Sequence, residues 1–273
     1  MIRSAGKAIA RAGFARAAEL DQQIRARYPG VWQQLDRFRA DPPVEWPDWC
    51  LLPMAASVAV VTSSSPLHRT SDIQPSKQHV AVLSAMYAWR FSRSVFIVHP
   101  KLASQLAGET TDNLGNLADF TSLPNWCTYL PAAYPQQSGL GVWAHLEYAP
   151  TTGRPELRLL LDFGGSLGDL QPIRVRLDGS TLTEALADLP ELATLPAGSP
   201  TQFDPDVREV ELDADATSLV ERVKGLITIL AYLAHPEADI VNASQPTITP
   251  QRYRSAPPDR SIWAVGYHSR TTS

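Results

Sequence analysis

The sequence predicts an α+β fold in which helical N-terminal and C-terminal segments pack on a central, mainly antiparallel sheet. An alanine-rich segment with apolar residues at helical spacing opens the chain at residues 2–27. The middle of the chain, residues 126–177, alternates short strand-forming runs with turn signals. A third segment, residues 214–234, is apolar on nearly all sides and indicates a buried helix. A run of strands flanked by helices is typical of α+β proteins.

The N-terminal segment is basic as well as helical. Tyr28-Pro29-Gly30 ends the first helix, and residues 31–39 form a short second one. Residues 1–39 hold eight lysines and arginines against three acids, a net charge of +5, whereas the remainder carries −9. We therefore expect a basic helical arm, residues 1–40, and a single α+β domain, residues 41–273. Four basic residues are candidates for nucleic-acid contact: Arg3, Lys7, Arg11 and Arg16. A solvated helix face is the commoner role of such residues.

Apolar runs bounded by turn residues predict the other elements. Helices are expected at residues 51–61, 79–91, 100–107, 114–123 and 181–189. Strands are expected at residues 94–98, 126–130, 142–148, 156–163, 173–177 and 262–267. The clearest amphipathic pattern lies in the helix at residues 79–91. Residues 62–77 are rich in Ser and Pro and predict a mobile loop, residues 190–210 predict a linker, and residues 236–260 read as irregular.

Composition excludes several classes of protein. At 273 residues with a net charge of −4, the chain can bury a sizeable core but does not suit coating nucleic acid. Its two cysteines, Cys50 and Cys127, each follow a tryptophan and form no CxxC pair, so we predict neither a zinc site nor a disulfide framework. No apolar run is long enough to span a bilayer. We expect a cytoplasmic protein with no cofactor, no metal and no membrane partner.

One set of residues raises the alternative of a metal-dependent nuclease or hydrolase. His145 and Glu147 alternate on one predicted strand, and Glu156 and Asp162 bracket the next. Oxygen and nitrogen ligands that converge in this way can hold a hard cation. Arg158 stands where such nuclease sites usually carry a lysine, and it is a poor substitute for a proton-transferring group. A polar sheet face with salt bridges is the commoner arrangement, and we favour it.

Aromatic residues raise a different candidate, a groove for an extended peptide. Main-chain pairing at a strand edge would supply affinity, and aromatic pockets would supply specificity. The candidate peptide-binding residues are Trp49, Trp89, Arg90, Trp126, Tyr129 and Trp143. Each tryptophan is also a natural core residue, and core is the commoner outcome.

Several short motifs in a fixed order resemble one known family. They are Trp46-Pro-Asp-Trp-Cys50, Ala88-Trp-Arg90, Leu123-Pro-Asn-Trp-Cys-Thr-Tyr129, Leu230-Ala-Tyr-Leu-Ala-His-Pro-Glu-Ala-Asp-Ile240 and Ile262-Trp-Ala-Val-Gly266. Over residues 44–267 the sequence is similar to the second family of type V-A anti-CRISPR proteins, which occurs on phages, with relatives on plasmids.

The resemblance implies a non-enzymatic inhibitor that acts on the production of its target. Such a protein recognises the N-terminal polypeptide of a type V-A CRISPR effector during translation and causes loss of the encoding message. The implied partners are that nascent peptide and, in addition, the ribosome or the mRNA. The metal-dependent hydrolase remains one alternative, and a structural protein of a mobile element, assembled as a homo-oligomer, is another.

Overall fold

The computed structural model describes residues 4–42, 45–64, 77–108, 117–131, 141–149, 153–177, 216–243 and 260–267. Its α-helices are α1 (Ser4–Arg27), α2 (Val31–Ala40), α3 (Met54–Ser63), α4 (Lys77–Ser92), α5 (Pro100–Ala107) and α6 (Ala216–Ala234). Its strands are β1 (Ser94–Val98), β2 (Cys127–Pro131), β3 (Gly141–Ala149), β4 (Arg154–Asp162), β5 (Gln171–Arg176), β6 (Ile240–Asn242) and β7 (Ser261–Val265). Short 3₁₀ helices lie at Leu117–Ser122 and Leu167–Asp169.

The strands form one mixed sheet in the order β5-β4-β3-β2-β1-β7-β6. The pairs β2–β3, β3–β4 and β4–β5 are antiparallel, and so is the pair β6–β7. Strand β1 runs parallel to both β2 and β7. The predicted α+β class with a mainly antiparallel sheet is therefore confirmed, and the parallel centre at β1 is what the sequence did not predict.

Helices cover both faces of the sheet and bury a separate apolar cluster on each. The first cluster joins α1 to α4 with one face of the sheet, including Val95, Tyr129 and Trp143. The second joins α5 and α6 with the opposite face, including Phe96 and Trp263. Period-2 alternation explains this division, because successive residues of a strand point to opposite faces.

Helix α1 lies directly against the sheet. Ala10, Ala17, Leu20 and Ile24 are fully buried and recur at helical spacing. Gly13 permits this approach, because a Cβ there would lie 3.0 Å from Cβ of Pro131. The basic N-terminal segment thus contributes one face to the core, while its other face carries its exposed charges.

Two local expectations are wrong. Helix α4 is not amphipathic, because its residues from Val80 to Trp89 are buried without interruption between α1, α3 and the sheet. Residues 236–260 are not wholly irregular, because Ile240–Asn242 form a short edge strand beside β7. The helix expected at residues 181–189, the linker at residues 190–210 and most of the loop at residues 62–77 lie outside the described residues. None of the described helices has the length and hydropathy needed to cross a membrane.

Candidate functional site

Four aromatic rings form a continuous row where α2, α4 and the start of β2 meet. Trp32 stacks on Tyr87 with 6.2 Å between ring centroids. Tyr87 contacts Phe91 edge to face at 5.4 Å, and Phe91 contacts Trp126 edge to face at 6.0 Å. Tyr87 and Phe91 are four residues apart on α4, which places them on the same side of the helix.

Two arginines lie on this row. The guanidinium of Arg90 is 4.6 Å from the centroid of Trp32, and that of Arg39 is 4.6 Å from the centroid of Phe91 and 5.8 Å from that of Trp126. Attraction between a cation and a ring face holds both side chains in place. We call these two arginines and the rings of Trp32, Tyr87, Phe91 and Trp126 the arginine–aromatic row.

Arg90 lies near two carboxylates, Asp36 and Asp21, but forms no ion pair with either. Its Nη1 is buried and has no hydrogen-bond partner among the described residues. The nearby carboxylates serve other donors, because Asp36 accepts from the hydroxyl of Tyr87 at 2.8 Å and Asp21 accepts from Nε1 of Trp32 at 2.9 Å. Burial lowers the pKa of Arg90, although the charges of Asp36 and Asp21 oppose that shift. A buried N–H without a partner costs free energy, and a hydrogen bond to an anion would offset that cost.

Three of the predicted peptide-binding residues lie behind the row, in the core. Trp143 and Tyr129 are fully buried and stack face to face with 3.6 Å between centroids. Trp89 meets Trp143 edge to face at 5.4 Å and is 8% exposed. In this structure the three side chains hold the helices on the sheet and present little surface to a peptide.

The two Trp-Cys segments of the sequence contact each other. Nε1 of Trp126, in the second segment, donates to the carbonyl of Asp48, in the first, at 2.8 Å. Trp49 is partly buried and meets Tyr148 of β3 edge to face at 6.2 Å. Trp126 therefore belongs to the arginine–aromatic row, whereas Trp49 packs at the end of β3.

The two cysteines are structural. Burial raises the pKa of the Cys50 thiol well above its ordinary value, and the negative charge of Glu147 adds to the rise. Burial raises the pKa of Cys127 as well. A nucleophilic or metal-binding cysteine needs its thiolate, and both environments disfavour that form.

The candidate nucleic-acid contacts are not equivalent. Lys7 and Arg11 are exposed on α1, and Arg3 lies outside the described residues. Arg16 is 6% exposed and forms a bidentate pair with the fully buried Asp162, at 3.0 Å from Nε to Oδ2 and 3.0 Å from Nη2 to Oδ1. Burial alone would lower the pKa of Arg16, but its bonds to Asp162 and Glu19 produce a net rise.

The carboxylates of the hydrolase alternative do not converge. Glu147 pairs across the strands with Glu156, but Asp162 pairs with Gly141 at the opposite end of β4. Six residues of strand separate Glu156 from Asp162, a distance of about 20 Å. Among the described residues there is no group of three His, Cys, Asp or Glu side chains that could hold a metal ion. This geometry argues against a single hydrolytic centre built from these acids.

Glu147 instead stabilises the start of α3. Its Oε2 accepts from the backbone N–H of Met54 at 2.8 Å, and the preceding Pro53 offers no side-chain cap. Its Oε1 lies 3.4 Å from Nε2 of His145, without hydrogen-bond geometry. A carboxylate at a helix N-terminus also interacts favourably with the helix dipole.

Replacing Glu147 with alanine is expected to lower the free energy of unfolding by about 2 kcal/mol, because the partly buried Met54 N–H then loses its partner and a buried acid is removed from the helix N-terminus. Glu147→Gln keeps an acceptor and is expected to cost about half as much. Urea unfolding followed by circular dichroism measures both variants. If Glu147→Ala unfolds at the same urea concentration as the parent, the carboxylate does not hold α3.

Sequence reasoning found Arg90 and Trp126 but missed the other members of the row. Tyr87 and Phe91 are four apart, and Trp32 is seven residues before Arg39, so helical spacing does put each pair on one helix face. Helical spacing predicts which residues lie on the same face of one helix. It does not predict that the faces of α2 and α4 meet.

The fold belongs to a class already seen in a solved structure. The structure titled "Crystal structure of AcrVA2" superposes with a TM-score of 0.61 and 16% sequence identity, over 92% of this chain and 83% of that one. No curated protein sequence matches the chain.

The sequence then identifies the family. The family model AcrVA2-like, described as the anti-CRISPR type V subtype A2 family, matches residues 96–272, from β1 to beyond β7. The chain belongs to this family, as its ordered motifs suggested. It is an anti-CRISPR protein, an inhibitor rather than an enzyme, and the family implies a CRISPR effector as its target.

Proposed function

We propose that this protein binds the N-terminal peptide of a type V-A CRISPR effector while that peptide is being translated, and that binding leads to loss of the effector mRNA. The observation that carries the proposal is the family match over residues 96–272. The protein then acts in the cytoplasm, where the nascent peptide, the ribosome and the message are together. Inhibition at this stage needs a peptide-binding surface and no catalytic group.

Within the described part of the chain, we assign the peptide to the outer edge of the arginine–aromatic row, because the rings of Trp32 and Tyr87 are buried and support that edge from inside. Phe91 is partly exposed, Arg39 is exposed, and Arg90 is partly buried beside them. Phe38, on the turn of α2 that also carries Arg39, is 37% exposed and extends the apolar surface beside Phe91. Aromatic and arginine side chains are the residues most enriched at the centres of protein interfaces.

Co-expression with a type V-A effector gene tests the proposal. We expect the effector protein and its mRNA to fall together when this chain is present. Recoding the first effector codons synonymously should leave the loss intact, because the peptide is unchanged. Changing the encoded amino acids with as few nucleotide changes as the code permits should abolish it. The readouts are quantitative PCR for the message and immunoblotting for the protein.

Two outcomes contradict the proposal. Loss of the message that follows the nucleotide sequence rather than the peptide would indicate recognition of the RNA. Loss of effector activity with the message and the protein both unchanged would indicate that the inhibitor acts on the finished nuclease. An effector gene with a stop codon directly after the start codon is the matched control, since its message encodes no peptide and should not be lost.

A further inference from the structure

Some arginines in the described part of the chain are held by carboxylates, whereas Arg39 and Arg90 are held by aromatic rings. Arg16, Arg25, Arg158 and Arg174 each form an ion pair with a carboxylate. Arg39 and Arg90 form no such pair with any described residue, and both instead lie on aromatic rings. For Arg90, which is partly buried, the missing partner carries a cost in free energy.

A guanidinium that lies over a ring keeps its N–H groups available for hydrogen bonds, and Nη1 of Arg90 makes none with a described residue. Such N–H groups bind the two oxygens of a carboxylate or a phosphate with paired hydrogen bonds. The rings of Trp32 and Phe91 hold the two guanidinium groups in position before any ligand arrives. Pre-organised groups lose less conformational entropy on binding, so they contribute more to affinity.

The charges around the row favour a single carboxylate over a polyanion. Asp21 and Asp36 accept hydrogen bonds from Trp32 and Tyr87, and Asp48 contacts Trp126 through its carbonyl. The carboxylates of Asp21 and Asp36 therefore border the row, and the whole chain has a net charge of −4. RNA carries a negative charge at every phosphate and would meet more repulsion here than a single acidic side chain, which brings one charge to two arginines.

We infer that Arg90, together with Arg39, determines specificity by binding an acidic side chain of the peptide partner. The partly exposed Phe91 packs against an apolar neighbour of that acid. This inference rests on the proposed function, because it specifies the chemistry of the peptide recognised there.

Calorimetry with the full chain and a synthetic peptide of the effector N-terminus provides the first test. Each Asp and Glu of the peptide is changed in turn to Asn or Gln. At one position we expect affinity to fall by about 10- to 100-fold, the effect of losing a charge-assisted hydrogen-bonded pair. If every acid-to-amide change alters affinity by less than twofold, the inference fails.

Arginine variants then locate the contact. Arg90→Gln should weaken binding of the parent peptide by a similar factor, and Arg39→Gln by less because Arg39 is exposed. In Arg90→Gln, the sensitive acid-to-amide change should produce less than a twofold further loss, because its partner is already gone. Arg260→Gln is the matched control, since Arg260 also lies over a ring, that of Phe14 at 5.4 Å, but outside the row. Equal sensitivity to the acid in Arg90→Gln and the parent would overturn the assignment.

A stability measurement separates binding from a purely structural role. Arg90→Met removes an unpaired charge and keeps the bulk of the side chain, so the melting temperature should stay the same or rise while peptide affinity falls. A lower melting temperature with unchanged affinity per folded molecule would mean that Arg90 serves the fold.

Two further outcomes are decisive. If the parent protein does not bind the peptide at all, the proposed function and this inference fail together. If it binds the peptide without regard to its acids, only this inference fails. A polyuridine RNA that binds more tightly than the peptide, and loses affinity in Arg90→Gln, would replace the carboxylate with phosphate and overturn the inference.

Discussion

Replacing Asp162 with alanine is expected to lower the free energy of unfolding by about 3–5 kcal/mol. The carboxylate is fully buried and accepts two hydrogen bonds from Arg16, so its loss leaves a buried guanidinium whose remaining partners are the half-exposed Glu19 and the carbonyl of Gly165. Urea unfolding of the purified variant measures this change. We also expect anti-CRISPR activity to fall only as far as the amount of folded protein falls.

Two comparison variants make the Asp162 prediction specific. Glu19→Gln removes the exposed partner of the same arginine and should change stability by less than about 1 kcal/mol, as is usual for surface ion pairs. The double change Arg16→Met with Asp162→Leu should recover most of the loss, because it removes both charges and leaves apolar groups. A loss below about 1 kcal/mol for Asp162→Ala would contradict a structural role for this pair.

The same experiment bears on both sequence-based interpretations of these residues. Asp162 was a candidate metal ligand and Arg16 a candidate nucleic-acid contact, and each would be a surface or active-site residue in that role. The structure joins them across 146 residues of sequence. No local pattern indicates such a pair, since Arg16 and the exposed Arg11 carry the same charge on the same helix and the sequence of α1 does not show where Asp162 lies.

Strands and helices were predicted where local chemistry is decisive. The apolar, β-branched run at Ser94–Val98 and the proline-initiated helix Pro100–Ala107 have the predicted bounds. The short strand Ile240–Asn242 was missed because three residues are too few to display a period. The parallel pairing of β1 with β7 was also not predictable, since it joins segments such as Ser94 and Trp263 that lie 169 residues apart.

In the candidate site, too, local sequence patterns do not predict which side chains meet. An aromatic residue is compatible with both a core and a binding groove, so composition alone does not separate Trp143 from Trp126. The structure separates them by position, because Trp143 lies between Tyr129 and Trp89 whereas Trp126 borders a partly exposed ring and an arginine. Arg90 is the more informative residue, since its buried Nη1 has no hydrogen-bond partner among the described residues.

Replacing Trp143 with alanine should lower the free energy of unfolding by about 3–5 kcal/mol, because it removes a fully buried ring that packs on Tyr129 and Trp89. Trp143→Phe should cost less than about 1.5 kcal/mol. It keeps most of the ring contact and removes an indole N–H that has no hydrogen-bond partner among the described residues. Thermal and urea unfolding measure both variants.

Peptide affinity distinguishes this role in the core from direct recognition. If Trp143 only supports the fold, Trp143→Phe should bind the effector peptide as tightly as the parent does, whereas Arg90→Gln should not. A Trp143→Phe variant that keeps its stability but loses tenfold in affinity would place the indole in the peptide site, contrary to its burial. Because Tyr129 and Trp143 belong to the same buried cluster as Trp32, Tyr87 and Trp126, the two variants together separate residues that contact the partner from residues that support the core.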